Sequence, residues 1–119
     1  MLRKNRRLPT YPDGTAAIYR EKDRKTDFGA KRNPRSLDHM DHVVTLAYAQ
    51  KSCREQDFAF ADQQGFTLSM KVRTPAFSGV DSTCKAVIGN SLFDVSHIDR
   101  SKRDMYLYMS SAGELEERP

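Results

Sequence analysis

Phe66-Thr67-Leu68-Ser69-Met70-Lys71-Val72-Arg73 alternates without a fault. Phe66, Leu68, Met70 and Val72 take one side, and Thr67, Ser69, Lys71 and Arg73 take the other. Successive side chains of a β-strand point to opposite faces, so this octet reads as a strand with one dry and one wet face. Upstream, His42 to Gln50 (HVVTLAYAQ) is rich in β-branched and aromatic residues. Val44, Leu46 and Tyr48 share one of its faces, as in a central strand. Between the two, Ser52 and Glu55 have capping-box spacing and Gly65 supplies a stop, which predicts one short helix over Arg54 to Gln64.

Downstream, Lys85–Ile88 and Leu92–Ile98 flank Gly89-Asn90, a pair suited to a tight primed hairpin turn. A charged turn (Asp99 to Arg103) and a closing strand, Met105 to Met109, follow. Thr15 to Arg20 is a further short strand, and Glu21 to Ser36 reads as a long charged loop. The expected fold is mainly β: a small barrel or sandwich of five or six antiparallel strands, one short helix and long loops. Residues 1–14 read as a basic extended arm, 15–110 as a single barrel domain, and 111–119 as an acidic tail that frays. Expected core anchors are Phe58, Leu68, Met70, Val72 and Val95.

At 119 residues, 38% of them hydrophobic and 30% charged, the chain fits one small domain with a marginal core, so burial between subunits is an early hypothesis. The net charge of +4 is unevenly spread: residues 1–35 carry +7 and the remainder −3. That asymmetry points the N-terminal third at an acidic surface or nucleic acid. No apolar run approaches the roughly 18 residues of a membrane span, and no apolar segment follows the basic start as in a secretory signal. A cytosolic-type protein with no membrane contact is expected. Cys53 and Cys84 stand far apart, with no pattern of a disulfide framework or zinc site.

Asp38, His39, Asp41 and His42 form the one concentration of potential metal ligands, and the two histidines would point different ways on a strand or turn. No phosphate loop, nucleophile elbow or paired-Glu motif occurs. The expectation is no enzymatic activity, no catalytic or metal site and no cofactor. Tyr106 and Tyr108 alternate with Met105, Leu107 and Met109; base stacking on such a strand would want a basic stripe, and nearby cations sit only in the preceding turn (Arg100, Lys102, Arg103). Packing in the core or between subunits explains these tyrosines better. In the helix, Phe58 and Ala61 form an apolar stripe opposite a Gln/Asp face.

The order of these elements resembles the head-tail joining, or head-closure, proteins of long-tailed bacteriophages. The likeness rests on the strand ending in Leu46-Ala47-Tyr48-Ala49, the Ser-x-x-Glu helix Ser52 to Gln64, and the strand ending in Arg73-Thr74-Pro75. It continues through the hairpin Ala86 to Val95 and the last strand, Asp99 to Met109. Ile18 to Asp23 and Thr26 to Ala30 look like the N-terminal part of versions from phages of low-GC Gram-positive bacteria. The resemblance implies a virion protein of the neck, made in the host cytoplasm. Its subunits form a ring, typically dodecameric, between a portal or adaptor on the head side and a tail completion or terminator protein. Such a ring helps retain packaged DNA, touches the duplex loosely and offers the tail a docking surface.

The same resemblance implies a small barrel with one helix-and-loop excursion toward the channel, here Arg54, Gln56, Asp62, Gln63 and Gln64. A weakly cationic lining suits DNA that must move, because strong Lys/Arg contacts to phosphate would hold it. Arg3, Lys4, Arg6, Arg7, Lys31 and Arg32 are candidate contacts to a connector or tail partner, although the long arm and charged first loop depart from the family pattern. Two alternatives stay open: an independent nucleic-acid-binding barrel using the basic arm, and another structural virion subunit such as a tail terminator.

Overall fold

A computed structural model describes residues 10–21 and 40–115. Strand β1 (Gly14–Glu21) and strand β2 (Met40–Lys51) are followed by helix α1 (Glu55–Gln64) and strand β3 (Met70–Pro75). Strands β4 (Cys84–Ile88), β5 (Ser91–Arg100) and β6 (Asp104–Glu114) complete the fold. The six antiparallel strands close into one barrel in the order β1-β2-β3-β6-β5-β4, with β4 pairing back onto β1 through Ala17↔Val87 to Arg20↔Cys84. The mainly β architecture, with a single short helix among the described residues, is therefore as the sequence pattern implies.

The interior is filled by Ala16 and Ile18 of β1, Leu46 and Tyr48 of β2, Val72 of β3, Ala86 of β4, Val95 of β5, and Met105, Leu107 and Met109 of β6. Those three β6 residues are fully buried. Each buried aliphatic side chain is worth about 1.5–3 kcal/mol relative to exposure, so this layer is the main source of stability. Two smaller clusters lie outside it. Met40, Val87 and Leu92 gather Tyr19, Ala112 and Leu115. Ala61, Leu68 and Tyr108 gather Cys53, Phe66 and Tyr106 beneath α1.

The alternating octet does two jobs. Ladder pairing begins only at Met70, which faces Met109. Val72 and Met70 pack with the barrel core, whereas Leu68 and Phe66 pack under the helix, where Ser69 still donates its N–H to the Met109 carbonyl at 2.8 Å. An alternating pattern reports which side is dry, and here two separate cores supply the dryness.

The residues after Ser110 do not form a frayed tail as far as Glu114: β6 continues, with Ser111 opposite Phe93 and Glu114 opposite Ser91. Leu115 donates its N–H to the Asn90 carbonyl and packs in the second cluster, so an apolar anchor offsets the acidic composition. The hairpin forms at Gly89-Asn90 with Gly89 at φ +63° and no positive φ at Asn90, the pattern of a turn with glycine at its first central position.

In β5 the ladder slips between Val95 and His97, leaving Ser96 as an extra residue. Straight alternation would put His97 inside with Val95. The bulge instead sets His97 opposite Tyr108, against Phe60 of the helix, with ring centroids 4.7 Å apart.

Candidate functional site

Helix α1 is the one excursion from the barrel among the described residues, and its seating defines the candidate site. The cap is not the expected Ser52–Glu55 pair. Arg54 is the N-cap, and the Asp57 carboxylate at N3 accepts the Arg54 backbone N–H at 2.9 Å, while the Asp57 N–H donates to the Arg54 carbonyl. Gly65 ends the helix at φ +84°, and Phe66 donates its N–H to the Ala61 carbonyl, as a left-handed glycine cap permits.

Asp57 also meets Lys71 Nζ at 3.2 Å, with both side chains largely buried. The Arg54 N–H chiefly, opposed by burial and aided by Lys71, holds the Asp57 carboxyl below the usual carboxylate range. Lys71 in turn lies over two rings, 5.2 Å from the Tyr108 centroid and 5.6 Å from that of Tyr106.

These contacts fix the helix's rotation. It turns Asp57 and Ala61 inward, with Phe60 half-buried against Phe66, His97 and Tyr108. Phe58, expected as a core anchor, is instead 48% exposed. Neighbouring helical positions differ by about 100°, so bringing Asp57 onto Lys71 swings Phe58 out. The other expected anchors are enclosed: Val72 at 0%, Val95 at 1% and Leu68 at 7%, with Met70 partly buried against the core.

The pairing across β2, β3, β6 and β5 arranges the barrel's outer face in rows. Lys51 is opposite Lys71, Lys71 opposite Tyr108, and Tyr108 opposite His97. The next row runs Ala49, Arg73, Tyr106 and Asp99. Where these rows meet the start of α1, an open cleft of about 400 Å³ is lined by Gln50, Lys51, Ser52, Arg54, Lys71, Asp99, Tyr106 and Tyr108.

Beside the cleft, Arg73 stacks 5.3 Å from the Tyr11 ring and donates to the Thr10 carbonyl at 2.9 Å. Asp13 accepts the Gln50 N–H at 2.7 Å. The last residues of the expected free arm are thus tied to the barrel. The tyrosines do have basic neighbours, but across the sheet rather than along the chain. The signal was present in the outward-facing Lys71 and Arg73, and strand order was needed to pair them with Tyr106 and Tyr108.

Arg54, Gln56, Asp62, Gln63 and Gln64 are all exposed on α1 or its cap. They do not converge: Arg54 lines the cleft, and Gln64, about 15 Å further along at 1.5 Å per residue, lines a second groove with Phe66, Thr83, Lys85 and Asp94. In that groove Lys85 pairs with Asp94.

A further surface is the loop 76–83. Arg20 of β1 donates to the Gly79 carbonyl at 2.8 Å, and Arg100 of β5 donates to the carbonyls of Phe77 and Val80. Asp81 accepts from the Thr83 hydroxyl and N–H, which holds its carboxyl below the usual range. Phe77 is 37% exposed at the loop's tip.

Arg3, Lys4, Arg6, Arg7, Lys31 and Arg32 lie outside the described residues, as do Asp38 and His39. His42 spends its Nε2 on the Thr45 hydroxyl at 2.8 Å. Among the described residues no group of three or more His, Cys, Asp or Glu side chains is placed to hold a metal ion, and no helix is long and apolar enough to cross a membrane. Compared with protein-family models and with the curated proteins, the chain has no match.

Proposed function

We propose that this chain is a head-closure subunit of a phage neck, a structural virion protein that assembles into a ring between a portal or adaptor and the tail. The observation that carries the reading is the position of α1. Helix α1 leaves the barrel between β2 and β3, where the head-closure resemblance has its excursion, and displays an uncharged polar end at Gln63 and Gln64. Such an end can approach a duplex without the ionic grip that would stall its movement. The exposed Phe58 and Phe77 suit burial between ring neighbours, where a small subunit gains apolar contact beyond its own core.

In this reading the head-side partner is the portal or adaptor, the tail-side partner is a tail completion or terminator protein, and double-stranded DNA passes through with loose contact. Gln63→Ala combined with Gln64→Ala tests it. Both side chains are exposed, so the thermal midpoint of the subunit should not move, while particles built with the variant should leak DNA or fail to join tails. Normal infectious particles with fully retained genomes would remove the closure function from this segment.

A further inference from the structure

We propose that the cleft at the start of α1 is a binding site for the phosphodiester backbone of a nucleic acid, separate from the glutamine end of the helix. Lys51, Arg54 and Lys71 converge on it from β2, the helix cap and β3, with Gln50 and Ser52 as neutral donors. Asp57 offsets Lys71, and Asp99 is the carboxylate lining the cleft, which leaves the charges of Lys51 and Arg54 in excess over that one acid. Thr10, three residues after Arg7 in the sequence, is fixed beside the cleft by Arg73. Residues 10–13 therefore run onto the barrel at this corner.

The ligand class follows from what the cleft lacks. Affinity for a protein partner concentrates in buried aromatic or aliphatic anchors seated in apolar pockets. Here the tyrosine rings are already covered by Lys71, and the remaining lining is polar. A phosphate backbone needs no apolar anchor; it needs cations and hydrogen-bond donors. The same cover over Tyr106 and Tyr108 denies bases a stacking platform, so recognition goes through phosphates and is indifferent to sequence. The first turn of α1 takes no part as an anion site, since the Asp57 carboxylate already caps it through the Arg54 N–H and Glu55 is acidic.

The test uses the full chain and fluorescence anisotropy with a labelled oligodeoxynucleotide of about 15 nucleotides, as a single strand and as a duplex, with polyglutamate of similar length as a third probe. Expected is binding of DNA that weakens as salt rises, with little dependence on base sequence. Lys51→Gln with Arg54→Gln should lower affinity about tenfold and reduce the slope of log affinity against log salt by about two. Arg20→Gln, which removes a charge from the β1 side of the barrel, should leave that affinity unchanged. Asp99→Asn should strengthen binding, a change that loss of fold cannot imitate. Polyglutamate bound as tightly as DNA would make the cleft an acidic-protein site and overturn the proposal. So would no DNA binding at low salt, or binding that survives the Lys51/Arg54 change and is lost only when residues 1–7 are deleted. None of these readouts involves particle assembly, so the site and the head-closure reading stand or fall separately.

Discussion

Lys71 and Asp57 lie 14 positions apart, on a barrel strand and on the helix packed across it, and their 3.2 Å contact joins the two. The same carboxylate caps the helix through the Arg54 N–H, so one side chain both starts α1 and seats it.

Asp57→Ala should therefore lose a helix cap and a charge-assisted hydrogen bond together, at a cost of about 2–3 kcal/mol. Asp57→Asn keeps an oxygen for the Arg54 N–H and should cost about half as much. Urea titrations of the three proteins would show the order, and an Asn variant as unstable as the Ala variant would assign the effect to the charge alone.

Acid should unfold the protein partly through two carboxylates. Asp57 and Asp81 are both held below the usual range, Asp57 first by the Arg54 N–H and Asp81 first by the Thr83 hydroxyl. The folded state then binds fewer protons than the unfolded one in this window. The associated stability is fully present above the ordinary carboxylate value of about 3.9 and is lost as pH falls through the depressed folded values. Thermal midpoints between neutral pH and pH 2 should show a steeper acid limb for the native sequence than for Asp57→Asn or Asp81→Asn.

The two helix phenylalanines should behave oppositely to what their hydrophobic spacing suggests. Phe58 is half in water, so Phe58→Ala should change stability by no more than about 0.5 kcal/mol. Phe60 meets three other rings, so Phe60→Ala should cost about 2–3 kcal/mol, below the range for a fully enclosed aromatic. Denaturant midpoints decide between them, and equal losses would mean that the helix is rotated from the orientation described.

Cys84 is enclosed in the barrel, and burial pushes its thiol above the ordinary range; Cys53 is only partly covered. Native protein treated with iodoacetamide should be alkylated at Cys53 well before Cys84, with Cys84 following the rate of global opening. Peptide mass mapping over time would show it, and early modification of Cys84 would contradict the closed β1–β4 seam.

The barrel was legible because its strands carry period-2 patterns that burial enforces: Leu46 and Tyr48, Met70 and Val72, Met105, Leu107 and Met109 all face inward as their alternation requires. What alternation could not carry was any break in it. The extra residue at Ser96 moves His97 to the outer face, a matter of ladder geometry that its neighbours do not announce.

The helix's orientation escaped for a different reason. Hydrophobicity alone ranks Phe58 as inward and Asp57 as outward, and only the lysine waiting on another strand makes the acid the better inward residue. The cleft was hidden in the same way, since Lys51, Lys71 and Tyr108 become neighbours only when β2, β3 and β6 lie side by side.

Arg20 and Arg100 come from strands on either side of β4, and both grip the loop that leads into it. Beneath Phe77, Gly79 leaves room for the ring: a Cβ there would stand 2.7 Å from Phe77 Cε2. The aromatic tip is thus held like a stud on a braced plate. A neighbour that meets it finds its shape already set, with little rotational freedom left to surrender on contact. A pull on Phe77 would be shared at once by β1 and β5, so load applied at this point spreads through the barrel wall instead of peeling a single strand.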